Sequence, residues 1–432
     1  MRKIIIELLL LFAVSLFIVF FQFNQVPKKL SWDEVEFARL ALSLDGRAYT
    51  PYSQLATGHS TLYFYILLTS IKIFGLNNFA LRFPAALFGV VNVLLFYFLA
   101  NLVFANIRYF KKSFFKQSLP ISNISISSLL PLLTSLIFIS LRWYFNFARF
   151  SFEVTFLLFL ELTATLFFLL FLKKRAIIYL IGTAVFSGLV FHSYYPGRIF
   201  FLLPLIFLFY SSAKKLVKKN VFIFLLIFLL TTSPLLVYLS THKDLRIQDQ
   251  LFLTDKKINI KNKISYFAQN IVKVAYMFNL QGDLNGRHNY PGKSLFNPVV
   301  GAIFLFGLLV TILNLKIFSN QFFLLYFILS LLPSLFTYPV ENPNSLRTYT
   351  SLVSSVYFIG NGIIYLLQSE KKVRLLFLVV VLVLILLFAL SSMYDLRTYF
   401  LYQRQVFNKS FELNGTIQRI LNLRLWEKTH SL

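Results

Sequence analysis

Residues 2–23 read RKIIIELLLLFAVSLFIVFFQF. Behind Arg2 and Lys3, the apolar run from 4 to 23 is long enough to cross the ~30 Å hydrocarbon core of a bilayer as one helix. Nothing like a small-residue cleavage site follows it, so an uncleaved first helix with a cytoplasmic N-terminus is expected. The rest of the chain extends this pattern. Of its 432 residues 58% are hydrophobic and 13% charged, with a mean hydropathy of +0.72, well beyond soluble-domain composition. Further apolar runs lie near 78–104, 124–141, 151–172, 176–193, 198–212, 220–240, 298–315, 321–338, 349–367 and 373–393. At ~20 residues per span they predict an all-α, polytopic membrane protein of about eleven transmembrane helices.

The absence of Cys excludes disulfides, thiolate catalysis, Cys-based zinc sites and iron–sulfur clusters. Lys and Arg number 42 against 16 Asp and Glu, a net charge of +26, and they fall in the loops between apolar runs. That placement points to membrane lipids and phosphates as partners, with no nucleic acid. Alternation puts Arg108/Lys111/Lys112/Lys116, Lys173/Lys174/Arg175, Lys214/Lys215/Lys218/Lys219 and Lys371/Lys372/Arg374 on the side of the N-terminus, the positive-inside pattern. The opposite, extracytoplasmic face then carries the long segments 24–77, 241–297 and 339–348. Long loops cross largely regardless of charge, so their Lys and Arg fit the same topology. The expected organisation is a transmembrane domain over 1–393 and a short extracytoplasmic tail over 394–432.

Directly after the first span, Leu30-Ser31-Trp32-Asp33-Glu34-Val35-Glu36-Phe37-Ala38-Arg39 starts a helix. Ser31 with Glu34 fits a capping box, and Leu30 with Val35 fits a hydrophobic staple. The helix is predicted from about 32 to 44, stopping at Gly46 and lying on the membrane surface through Val35, Ala38 and Leu42. Spacing alone favours a local role, Glu34 as cap and Asp33 as partner of the helix dipole. Gly58-His59-Ser60-Thr61-Leu62-Tyr63 then precedes a second amphipathic stretch, so the first outer loop holds juxtamembrane helices and builds a site.

Later candidates gather on the same predicted face. Arg149 and Glu153, read as the start of the fourth span, share a helix face and fit an ion pair that also contacts substrate. Glu161, deeper in that span, fits a helix–helix hydrogen bond. Tyr195 and Arg198 lie in the tight turn His192-Ser193-Tyr194-Tyr195-Pro196-Gly197-Arg198. In the turn-rich Gly282-to-Gly292 loop, Arg287 and His288 suit phosphate, and Asp283 suits an acceptor or a metal. Arg347 adds an outward cation after Asn342-Pro343-Asn344.

These blocks resemble those of a known family. Trp32-Asp33-Glu34, then Gly58 to Tyr65, then Phe74-Gly75-Leu76-Asn77-Asn78-Phe79-Ala80-Leu81-Arg82-Phe83-Pro84-Ala85-Ala86-Leu87-Phe88-Gly89 are similar to polyprenyl-phosphate-sugar-dependent membrane glycosyltransferases of the GT-C fold. That group includes protein O-mannosyltransferases and lipid A aminoarabinose transferases. Phe147-Ala148-Arg149, Tyr195 with Arg198, Gly282-Asp283 with Arg287-His288, and Asn344 to Arg347 are weaker matches. The resemblance implies a catalytic position for the acidic pair Asp33 and Glu34, with Asp33 acting on the acceptor or through a divalent metal. Such a metal would involve Asp33, Asp283 or His288. It also implies that His59 stands where many members have the Lys that meets the lipid phosphate.

The resulting expectation is an inner-membrane enzyme that inverts a sugar from a polyprenyl-phosphate donor onto an acceptor protein, lipid or glycan, with Arg287, Arg347 and His59 stabilising the departing phosphate. A lipid-linked polysaccharide polymerase or ligase is the first rival, and an acidic helix straight after the first span argues against its large late catalytic loop. A lipid or polysaccharide flippase is the second; it needs charges lining a path across the membrane, where this chain offers only Glu7, Glu153 and Glu161. The topology is directly testable because the chain contains no Cys. Single cysteines at Ser53, Asn259 and Ser431 should react with an impermeant thiol reagent on intact spheroplasts. Labelling at Ser113 without labelling at Asn259 would invert the orientation.

Overall fold

A helix in lipid must keep its apolar side chains outward and satisfy every polar group against a neighbouring helix, and this division organises the chain. The computed structural model describes residues 2–104, 126–211, 214–369 and 374–422. Arg108, Lys111, Lys112, Lys116, Lys371, Lys372, Ser113 and Ser431 lie outside the described residues. The helices of the first half are α1 (Arg2–Phe20), α2 (Trp32–Ser43), α3 (Leu62–Phe74), α4 (Asn78–Phe104), α5 (Ile126–Ser140), α6 (Arg142–Phe147), α7 (Val154–Lys174), α8 (Ile177–Phe191) and α9 (Leu202–Ser211). Those of the second half are α10 (Lys214–Thr241), α11 (Leu245–Gln250), α12 (Ile260–Asn279), α13 (Pro298–Leu313), α14 (Phe318–Leu335), α15 (Ser351–Ser369), α16 (Arg374–Arg397) and α17 (Arg404–Ser410). One two-stranded antiparallel hairpin, β1 (Tyr52–Ser53) and β2 (His59–Ser60), interrupts the helices.

Over the described residues, each predicted apolar run contains a helix. Among the described residues six helices are long and apolar enough to cross a membrane, and the other runs form apolar helices of 10–17 residues. The chain is a multi-pass membrane protein. Ile5, Leu9 and Phe17 of α1, Phe222, Leu230 and Val237 of α10, and Leu382 and Leu386 of α16 are exposed, while Ser15, Asn92, Thr232 and Asn361 are buried. The buried polar groups tie helices together: Asn361 donates to Thr311 Oγ1 at 2.9 Å and to Asn320 Oδ1 at 3.0 Å. Tyr326 donates to Glu161 Oε2 at 2.7 Å, the interhelical bond expected of that carboxylate.

Between the spans, α2 forms where its cap predicts. Ser31 Oγ accepts from Glu34 N, Glu34 reaches back to Ser31 N at 3.0 Å, and the helix ends at Ser43. Glu34 then does more than cap. It is fully buried, and its carboxylate also accepts from Arg82 Nε at 2.8 Å, Arg82 Nη2 at 3.1 Å and the backbone of Ser151 at 3.1 Å. Arg82, fully buried in α4, spends its remaining N–H groups on the carbonyls of Pro27 and Lys29. One ion pair therefore fixes α2, the connection from α1, α4 and the segment before α7.

Removing one partner of a buried pair leaves an uncompensated charge and typically costs about 3–5 kcal/mol. Glu34→Gln and Arg82→Ala should each lower the apparent melting temperature of the detergent-solubilised protein strongly. Asp33→Asn, one residue away on the partly exposed side, should shift it little. Equal melting temperatures for Glu34→Gln and the parent would refute the structural role.

Candidate active site

The short elements between the spans converge on a cleft. The hairpin turns at Gly58, whose φ of +91° suits glycine and where a Cβ would stand 2.2 Å from Tyr52 Oη. The turn presents His59 between the rings of Phe37 and Phe64, with centroids 5.1 and 5.2 Å away. Glu153, next to the start of α7, meets His59 Nδ1 at 3.1 Å. Tyr195 and Arg198 arrive on the single-turn helix Tyr195–Ile199. With Tyr52, Tyr194, Asp244 and Arg246 these residues line a narrow polar cleft.

Two of the cleft's main charges were not singled out from the sequence. Asp244 caps α11 by accepting from Ile247 N and pairs with Arg198 Nη1 at 2.5 Å and Tyr52 Oη at 3.0 Å. The six-residue α11 thereby places Arg246, whose guanidinium lies over the rings of Tyr194 and Tyr195 at 5.0 and 5.7 Å. The only local signal was an Asp at a helix start two residues before an Arg. Arg246 Nη1 also lies 2.5 Å from His59 Nε2. Arg246 Nη1 is also 2.8 Å from Nδ1, so it is the carboxylate of Glu153, which can only accept, that favours the imidazole proton on Nδ1 and leaves Nε2 to accept from the guanidinium. Burial, then Arg246, push the His59 pKa below its usual value against the pull of Glu153, so the ring is neutral. Burial would raise the Asp244 pKa, but Arg198 and its hydrogen bonds hold it below the usual value.

Several buried atoms at this cleft bond no other protein atom: Glu153 Oε2, Ser193 Oγ, Arg198 Nε and Arg246 Nε. Arg347, 5% exposed, bonds Glu341 through Nη2 at 3.0 Å and turns the rest of its guanidinium toward the Tyr195 hydroxyl, with its charge acting on Tyr194 as well.

A second group adjoins the cleft. Asp33, in the first turn of α2, pairs with Arg287 at 2.5 Å, and both are partly exposed. Asp283 accepts from Asn285 N, Ser345 N and Ser345 Oγ, and meets His288 Nδ1 at 3.1 Å. Burial alone would raise its pKa, yet His288 and those bonds hold it below the usual value. The two groups meet through aromatic rings. Phe37, one helical turn from Asp33, touches both His59 and Phe152, and Phe152 lies 6.2 Å from His288.

Other expected contacts go elsewhere. Arg149 and Glu153 do not pair, because α6 ends at Phe147 and α7 begins at Val154, so the intervening residues share no helix face. Arg149, fully buried, bonds the carbonyls of Ile18, Val19, Phe21 and Val26 and the Tyr399 hydroxyl, which closes the end of α1 and leaves no N–H for a substrate. Glu34 is equally saturated by Arg82 and backbone. Asp33, Asp283 and His288 do not converge as ligands: Asp33 faces Arg287 while Asp283 and His288 face each other. Among the described residues no three His, Cys, Asp or Glu side chains form a metal cluster.

No family model matches the sequence, and no curated protein matches it. Solved structures match its fold. The crystal structure of the Archaeoglobus fulgidus oligosaccharyltransferase in the apo form aligns at a TM-score of 0.54 and 16% identity, covering 95% of this chain and 56% of that one. The chain thus spans little more than half the length of that neighbour. ArnT from Cupriavidus metallidurans aligns at 0.52 in the apo state and 0.51 bound to undecaprenyl phosphate, both at 12% identity, covering 93% of this chain and 76% of each ArnT chain. The likeness at such identities is one of architecture, and it agrees with the helices, the juxtamembrane α2 and the polar cleft beside it: this multi-pass membrane protein has the GT-C fold.

Proposed function

We propose that the chain is a glycosyltransferase that takes a sugar from a polyprenyl-phosphate donor and places it, with inversion, on an acceptor at the extracytoplasmic face of the inner membrane. The observation that carries this reading is the cleft itself, where the buried Nε–H groups of Arg198 and Arg246 and the Ser193 hydroxyl lack protein partners beside a carboxylate-bearing helix. An oxygen-rich anion satisfies such donors, and paired guanidinium groups suit phosphate geometry. Undecaprenyl phosphate bound to ArnT supports a lipid phosphate as that anion.

In this reading Arg198 turns from Asp244, and Arg246 from Glu153, whose Oε1 lies 3.9 Å from its Nη1, to the donor phosphate. His59 orients Arg246, because its one proton already faces Glu153. Arg347 adds positive potential from behind the tyrosines. The acceptor hydroxyl loses its proton to Asp33 and attacks the anomeric carbon in line, the carbon–oxygen bond to phosphate breaks, and polyprenyl phosphate departs. Charge moves onto phosphate as that bond breaks, so fixed cations in a partly desolvated cleft favour the transition state over the ground state. In the same reading Arg287, paired with Asp33 at the rim, orients that carboxylate.

Asp33→Asn should abolish transfer while leaving folding and donor binding intact, since it removes the proton acceptor and keeps the shape. Losing a general base typically costs ~100-fold or more, so purified Asp33→Asn protein active within a few-fold of the parent would contradict the assignment. The neutral His59 gives a second test. Its folded pKa lies below the unfolded value of about 6.5, so its contribution to stability is full above that pH and is lost as pH falls through the folded pKa. His59→Gln should therefore flatten the fall in melting temperature on acidification below about pH 6.5. An unchanged slope would show that His59 is not held neutral.

A further inference from the structure

The pair Asp33–Arg287 joins α2 to the 281–297 loop across 254 residues of sequence, and it is one contact at a partly exposed rim. Residues 398–413 touch both. On one side Leu413 pairs with Leu30 as an antiparallel bridge, with both N–H···O bonds at 3.0 Å, next to the Ser31 cap of α2. Lys29 adds a bond to the carbonyl of Asn408 at 2.8 Å. On the other side α17 lies against Gly286, the residue before Arg287: a Cβ there would stand 2.1 Å from Ser410 Oγ and 2.7 Å from Val406 Cγ1.

A buried polar chain reinforces the second contact. Gln403, fully buried, donates to Asn146 Oδ1 at 3.2 Å, and Asn146 donates to the carbonyls of Arg287 and His288, each at 3.0 Å. Beside it Arg142 bonds Asn289 Oδ1 and the carbonyl of Ser294. Gln403 belongs to the π-helical turn Thr398–Gln403 and therefore reaches the Arg287 backbone through α6. Burying these amides without partners would be costly, so the geometry is held as a unit.

We infer that residues 398–413 form a strut that sets the separation of Asp33 and Arg287, with Gln403 as a positioning residue and Gly286 as its contact point. The strut touches neither cleft cation and contributes no group to the reaction. Its consequence for rate rests on the proposed role of Asp33; its consequence for geometry does not.

The test uses the full chain, whose lack of Cys allows unique labelling. Nitroxides at Ser43→Cys on α2 and Leu284→Cys in the loop report their separation. Gly286→Ala and Gln403→Met should each broaden or shift the distance distribution, and Val406→Ala with Ser410→Gly should restore it in the Gly286→Ala background. In the unlabelled protein the same changes should lower kcat by roughly 10–100-fold with donor KM nearly unchanged, as expected when a reacting group is misplaced by about an ångström. Unchanged distance distributions in both variants, measured on folded protein, would overturn the strut. A broadened distribution with parental kcat would uphold the strut and overturn the catalytic assignment of Asp33 instead.

Discussion

Glu34 meets no solvent, and its carboxylate is neutralised by one guanidinium and four hydrogen bonds from Ser31, Arg82 and Ser151. The pair joins α2, α4, the connection from α1 and the segment before α7 at one point. The pair fixes the first turn of α2, and with it the direction of Asp33; it fixes Arg82 under the connection from α1; and it fixes Ser151, two residues before Glu153. A buried ion pair of this kind is weak evidence for net stability, because desolvation offsets much of the attraction. Its value lies in geometry: each partner is satisfied in one arrangement only.

The two carboxylates of the acidic pair thus divide their work by exposure. Glu34 points inward and holds the scaffold, while Asp33 points to the rim, paired with a cation that is itself partly exposed. Behind that rim, Phe37 of α2 packs on both His59 of the cleft and Phe152, which couples the position of Asp33 to that of the cleft. The cleft's acidic groups, Glu153 and Asp244, position its cations through His59 and Arg198, so Arg198 and Arg246 are held apart by fixed partners and can exchange one anion for another at modest cost.

Much of this was legible in the sequence, for physical reasons. Spanning helices announce themselves by length and apolarity, and the capping box of α2 depends only on Ser31 and Glu34 three residues apart. Counting spans puts His59, Glu153, Tyr195 and Arg198 toward one face, but their meeting in one cleft depends on how the helices pack. What failed depended on distant partners. The Arg149–Glu153 pairing assumed a continuous helix, but Arg149 is drawn to the carbonyls at the end of α1, more than 120 residues away, and the chain opens between Phe147 and Val154 to allow it. Arg246 looked like one basic residue among many in a long loop, because its partner His59 is 187 residues away. No local pattern encodes such contacts.

In the proposed enzyme the cleft beside α2 holds the phosphate of a polyprenyl carrier through Arg246, and Arg287 serves Asp33 instead. Titrating the purified protein with a polyprenyl phosphate and reading ligand-induced thermal stabilisation separates the two arginines. Arg246→Ala should lose the stabilisation at ligand concentrations that saturate the parent, whereas Arg287→Ala should retain it. Retained stabilisation in Arg246→Ala together with its loss in Arg287→Ala would contradict the account and move the phosphate to the rim.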